Sequence, residues 1–192
     1  WDLRGTGRSD LPPGPCDVDT LAADFEAVLA DAGVEAAHVV GAGLGGMIAL
    51  RYAREYGRAR TLTLFGATES GDDLEESALR ELHPGSDDES ALRASLDGAF
   101  SPAFREARPD LVERICGWRA EEDAGPEGID AQMEAVLSFD SGPLYELTLP
   151  ALVCHGVNDP VVTESVARRL GEGLPGGVYE AVEGRRLCFV EH

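Results

Sequence analysis

A chain of 192 residues is long enough to bury a full core, and its formal charge of -20, from 36 acidic residues against 16 basic ones, argues against nucleic-acid or anionic-membrane partners. Neither phosphate contacts nor a polybasic patch can be built in such a field, and all 16 basic residues are arginine, with lysine absent. The acids are dispersed rather than gathered in a tail, a pattern that resembles proteins of salt-accumulating halophiles and that a GC-rich genome with an acidic proteome would also give.

No apolar run reaches about 18 residues, and no basic start precedes an apolar stretch, so a soluble protein is expected. The chain opens on Trp1 rather than Met, which reads as a processed or partial sequence. Cys16, Cys116, Cys154 and Cys188 form no C-x-x-C and no metal-ligand spacing. A reducing cytoplasm, no metal and no cofactor are the expectations.

In chain order, Trp1–Asp10 reads as a strand end entering a glycine loop, followed by a stiff connection at Pro12, Pro13, Gly14 and Pro15. Asp17 or Asp19 can cap a helix with Leu21, Phe25, Val28 and Leu29 on one face and Gly33 as its stop. Ala37–Val40 is a short buried strand, the glycine-dense turn 41–46 follows, Leu44–Tyr56 is a helix, and Thr61–Phe65 is the next strand. Strand, helix and strand at this spacing form a parallel crossover, which places the chain in the α/β class. From Gly71 to about Asp140 the strand signal vanishes and helix spacing runs over 72–83, 87–99, 109–122 and 128–139. The segment 71–140 is read as a helical cap over a core formed by 1–70 and 141–192, with a separate four-helix domain as the alternative. Phe100, Phe104, Trp118, Met133 and Phe139 are its candidates to face a ligand. Strand signal returns at 149–155, then come a helix over 163–174 and a last strand over 178–182.

Four blocks in order resemble the α/β-hydrolase family, in the branch of small esterases and enol-lactonases: residues 2–9, the turn His38–Leu50, Leu152–Gly156 with Asp159, and 184–191. The resemblance implies a mostly parallel sheet with helices on both faces and a helical cap. It also implies a nucleophile elbow at 41–45, a serine at the apex of a strained strand-to-helix turn, followed in chain order by an acid and a histidine. In this sequence the serine position is Gly43, the acid position is Asp159, and the histidine position is Arg186. Glycine has nothing to attack with, and arginine stays protonated, so neither nucleophile nor base is present. The Leu44 amide remains as one oxyanion donor, and the second lies upstream of Trp1 in the family. In the family a neighbouring strand lies upstream of Trp1 and a final helix follows the histidine loop. The resemblance therefore implies a chain truncated at both ends, or one whose exposed sheet edge is covered by a partner or by oligomerisation.

Replacement triads are not expected. Ser70, Ser101 and Ser141 have no elbow, His38 and His155 sit at strand boundaries as structural residues, His83 reads as a surface residue, and His192 would need its loop to fold back. Arg186 in place of histidine is expected to pair with Asp159, within about 6 Å, because the carboxylate would otherwise be an unpaired buried charge. Three functions follow: a related ester or enol-lactone hydrolase that has lost activity, a non-catalytic protein binding a small ester or acid against Leu44, Phe100, Trp118 and Met133, or an enzyme of unorthodox chemistry.

Overall fold

The computed structural model describes residues 1–85 and 88–192. Helix α1 (Val18–Asp31) begins where the Asp17 side chain accepts the Thr20 amide at 2.8 Å, and the chain turns away through Gly33 at φ +67°. Strand β1 (Ala37–Ala42), helix α2 (Leu44–Glu55) and strand β2 (Ala59–Phe65) form the expected crossover. The helical segment holds α3 (Glu76–Leu82), α4 (Glu89–Ala99), α5 (Pro102–Ala107), α6 (Pro109–Glu122) and α7 (Pro126–Leu137). Strand β3 (Ala151–Gly156), helix α8 (Glu164–Gly173), strand β4 (Gly177–Val182) and the short α9 (Cys188–Glu191) complete the chain.

Differences from the sequence reading sit at element ends and in the short elements. Residues 1–3 form no strand. The stretch 72–83 divides into a 3-10 turn at Gly71–Asp73 and α3, because Ser70 accepts the Asp72 amide and starts its own turn. Helix α4 is capped by Asp88, and the expected start at Asp87 falls outside the described residues. Helix α5 is set by Ser101, whose hydroxyl accepts the Phe104 amide, with Pro102 at the first helical position.

The four strands run parallel in the order β1-β2-β3-β4. Sequential order combined with right-handed crossovers sets the connecting helices α2 and α8 on the same face. On that face the register aligns Val39, Leu62 and Ala151 in one row and Gly41, Leu64 and Val153 in the next, all buried. The alternate residues behave oppositely: His38, Val40, Val178 and Glu180 are exposed, and among the ring contacts on this side Phe189 of α9 meets Phe65 at 4.9 Å.

The helices of 71–140 do not keep a core of their own. Leu79, Leu92, Leu96, Val112 and Met133 belong to one continuous buried cluster with Leu62, Leu64 and Val153 of the sheet. No helix among the described residues is long and apolar enough to cross a membrane, and all four cysteines are free.

Fifteen ion pairs are formed among the described residues, nearly all at the surface, where each is worth at most about 1 kcal/mol. The unpaired acidic excess repels itself, and salt screens that repulsion as well as the pairs. The melting temperature is therefore expected to rise as potassium chloride is added, read by circular dichroism; a steady fall would mean that the arginine pairs outweigh the repulsion.

Candidate functional site

The turn after β1 is tight because its backbone nearly touches the following helix. A Cβ on Gly41 would lie 2.2 Å from the Gly45 carbonyl oxygen, and one on Gly46 would lie 2.6 Å from Ala67 Cβ. The elbow pattern predicts the same constraint at Gly45, yet Gly45 faces open space, so the second close approach belongs to Gly46. Gly43, the apex, sits at φ +53° and ψ -121°, a strained conformation for any residue bearing a side chain, and serves as the N-cap of α2. The local backbone is that of a nucleophile elbow.

Above the apex lies Arg186. Its Nη2 is 3.0 Å from where a Gly43 Cβ would be, and its Nη1 donates to the Gly66 carbonyl at 2.7 Å and to Asp159 Oδ2 at 3.0 Å. The pair is well shielded, with 11 % of the Arg186 side chain and 1 % of the Asp159 side chain exposed. Asp159 is held from its other oxygen by the Val161 and Val162 amides at 2.8 and 3.2 Å. The ion pair expected from the sequence is thus present, with Gly66 as a third partner that nothing in the sequence flags.

The loop carrying Arg186 is itself fastened. Glu191 Oε1 accepts the Arg185 amide at 2.9 Å and the Ser101 amide at 3.2 Å, while its other oxygen takes the Ser101 hydroxyl. The Leu187 amide donates to the Ala99 carbonyl at 3.0 Å. The closing loop is therefore joined, through Ala99 and Ser101, to the end of α4 and the start of α5.

A cavity of about 310 Å³ opens in front of the elbow, between Gly43 and Leu44 on one side and helices α3, α4, α6 and α7 on the other. Leu44 and Met133 line it, together with Leu82, Leu96 and Ile115. Four residues expected there, Phe100, Phe104, Trp118 and Phe139, do not, Phe104 packing against Phe100 and Phe139 lying in the buried core. Phe100 is fully buried against Phe104, with ring centroids 5.0 Å apart, because the chain turns inward between α4 and α5. Trp118 is on the outer side of α6, 51 % exposed, with the Arg114 guanidinium 5.0 Å over its ring. One helical face decides this: Ile115 and Arg119 line the cavity, and Trp118 projects away from it.

The polar groups of the cavity are Arg119, Gln132, His83 and Arg186. Every nitrogen of Arg119 has a partner, its Nε on Asp123, its Nη1 on Ser95 Oγ and its Nη2 on the Leu82 carbonyl. Gln132 donates to Thr6 Oγ1 at 2.8 Å. His83 is exposed, as expected, but also lines the cavity, and its crowded surroundings together with the Arg119 and Arg186 charges hold its pKa below the usual histidine value.

The remaining candidates lie elsewhere. Ser141 donates to the Gly142 carbonyl, Ser70 caps its turn, and Ser101 belongs to Glu191. His192 Nε2 meets the Glu183 carbonyl at 2.7 Å, and His38 Nδ1 meets Thr61 Oγ1 at 2.9 Å. His155 is fully buried with neither ring nitrogen hydrogen-bonded, and burial lowers its pKa while Asp159 acts against that shift. No cluster of three or more metal-ligating side chains occurs among the described residues.

Residues 1–100 match the family described as alpha/beta hydrolase fold, more than half of the chain, and the chain belongs to that family. A curated relative, 3-oxoadipate enol-lactonase 2 of Acinetobacter baylyi, is 27% identical over 201 residues, covering 100% of this chain and 72% of the relative. The enol-lactonase from Burkholderia xenovorans LB400 superposes with a TM-score of 0.83 at 23% identity, over 99% of this chain and 74% of that one. A hydrolase from Pseudomonas aeruginosa PA01 gives 0.82 at 26%, over 99% and 72%. The chain is thus related to enol-lactonase-type hydrolases.

Two outcomes follow from this geometry. Arg186→Leu strands a buried carboxylate that keeps two amide donors, so a loss of about 3 kcal/mol in urea unfolding is expected. Restoring neutrality with Asp159→Asn should recover part of it, and strict additivity of the two changes would deny the coupling. His155 binds a proton more readily unfolded than folded, so stability is expected to fall as pH drops below about 6.5, before carboxylates titrate. His83 pulls the same way. His155→Leu should flatten that part of the pH-stability curve, and an unchanged slope would exclude His155 as its source.

Proposed function

We propose that this chain is a non-hydrolysing relative of carboxylic-ester and enol-lactone hydrolases, with residues 71–140 acting as a cap on a core formed by 1–70 and 141–192. The observation that carries the reading is the position of Arg186: its guanidinium stands 3.0 Å from the point where a serine Cβ would begin and is tied to the carboxylate that would orient a histidine. Acyl transfer needs an attacking oxygen and a group to take its proton. Glycine and a permanently charged arginine supply neither. Losing the nucleophile or the base of a triad costs on the order of 10⁶ in kcat, because the members act as a unit.

The open cavity favours a second reading within the same fold, a protein that binds a small ester or acid without turning it over. Had the lost chemistry been followed by collapse, Leu82, Leu96 and Met133 would fill the space in front of Gly43; instead about 310 Å³ stays open.

The native chain is expected to hydrolyse p-nitrophenyl acetate no faster than buffer does. The Gly43→Ser, Arg186→His double variant restores both side chains above the retained Asp159 and is the arm in which turnover can reappear. Hydrolysis by the native chain that disappears in Asp159→Asn would reject the non-hydrolysing reading.

A further inference from the structure

The cavity wall has the opposite charge preference from the rest of the molecule. The chain carries 36 acidic residues against 16 arginines, yet the described residues lining the cavity include Arg119 and Arg186 and neither Asp nor Glu. A wall that excludes carboxylates in so acidic a protein is complementary to an anion.

The two arginines differ in what they have left to give. Each nitrogen of Arg119 already holds an acceptor, Asp123, Ser95 or the Leu82 carbonyl, and its charge is paired with Asp123. Arg186 uses only Nη1, on Gly66 and Asp159, and among the described residues no acceptor meets its Nε or Nη2. A guanidinium has five N–H donors, and the Nε–Nη2 edge is a fork that matches the two oxygens of a carboxylate. Its Nη2 stands over Gly43, 3.0 Å from where a Cβ would be, and Gly43 and Arg186 both line the cavity. Asp159 neutralises the charge but takes only Nη1, and its other oxygen is held by the Val161 and Val162 amides, so the Nε–Nη2 edge keeps its directional donors.

We propose that the cavity binds the anion of a medium-length apolar monocarboxylic acid, its carboxylate taken side-on by Nε and Nη2 of Arg186 in front of Gly43 and its tail lying against Leu82, Leu96, Ile115 and Met133. The proposal rests on the non-hydrolysing reading and names its ligand. One carboxylate suffices because Arg186 alone among the described lining residues presents a two-nitrogen edge with no acceptor, and an apolar tail suits walls built of leucine, isoleucine and methionine. A volume of about 310 Å³ is at the small end of ligand cavities, which favours a short chain over a large ring system.

The test is calorimetric titration of the whole chain with hexanoate and, separately, with hexanamide, which has the same shape without the charge. Hexanoate should bind about tenfold tighter or better, the difference that a charge-assisted bidentate contact confers. The Arg186→Gln, Asp159→Asn double variant, which replaces the ion pair by a neutral amide pair, should lose that preference while still binding hexanamide. Equal affinities for the two ligands, binding of neither by the folded protein, or a preference that survives in the double variant would each overturn the proposal. If the double variant does not fold, the comparison of the two ligands on the native chain decides alone. Turnover of p-nitrophenyl acetate on the same sample reports separately on the non-hydrolysing reading.

Discussion

Four parts of the chain meet at the Arg186 guanidinium. Its Nη1 bridges the carbonyl of Gly66, just past the end of β2, and the carboxylate of Asp159, in the loop after β3. Its Nη2 lies over Gly43, where β1 turns into α2. The residue itself comes from the loop after β4, so one side chain spans the carboxyl ends of all four strands. A planar cation with five fixed donors can do this at a site with little water, where a point charge on a flexible stem would lose more entropy per bond formed. Burying it is tolerated because Asp159 neutralises it and the backbone satisfies the carboxylate's other oxygen.

The same contact changes what the strained turn accomplishes. In an enzyme, a positive φ at the apex is retained because it aims a reactive oxygen. Here the apex is a glycine, for which that conformation is inexpensive, and the turn presents bare backbone to the Arg186 guanidinium instead. The close packing that shapes it is unchanged, since Gly41 still admits no side chain against the Gly45 carbonyl. The backbone of the elbow is thus formed around an apex that carries no side chain.

Features that follow from local chemistry are legible in the sequence. Helix α6 spans Pro109–Glu122 as its helix spacing between Gly and Pro breaks suggests, and the strands lie where apolar runs adjoin glycines. The Asp159–Arg186 pair follows from the cost of leaving a carboxylate without its counter-charge. Orientation within the cap is not legible, because helix periodicity tells which residues share a face but not which face a neighbour covers. Trp118 and Ile115 are three residues apart on α6, yet one is exposed and the other lines the cavity. Phe100 goes inward because the α4–α5 turn, set by Ser101 and Glu191, carries it there. Nothing near Gly66 in sequence points to Arg186, 120 residues away.

Glu191 fastens the closing loop to the connection between α4 and α5 through Ser101, and Leu187 adds a bond to Ala99. Those bonds make the roof and the charged floor of the cavity a single mechanical piece. Any swing of α4 and α5 that widened the entrance would pull on Arg185 and thereby on Arg186, loosening its hold on Gly66 and Asp159. The placement of α4 and α5 and the grip of the guanidinium are thus set together, through one carboxylate and one amide.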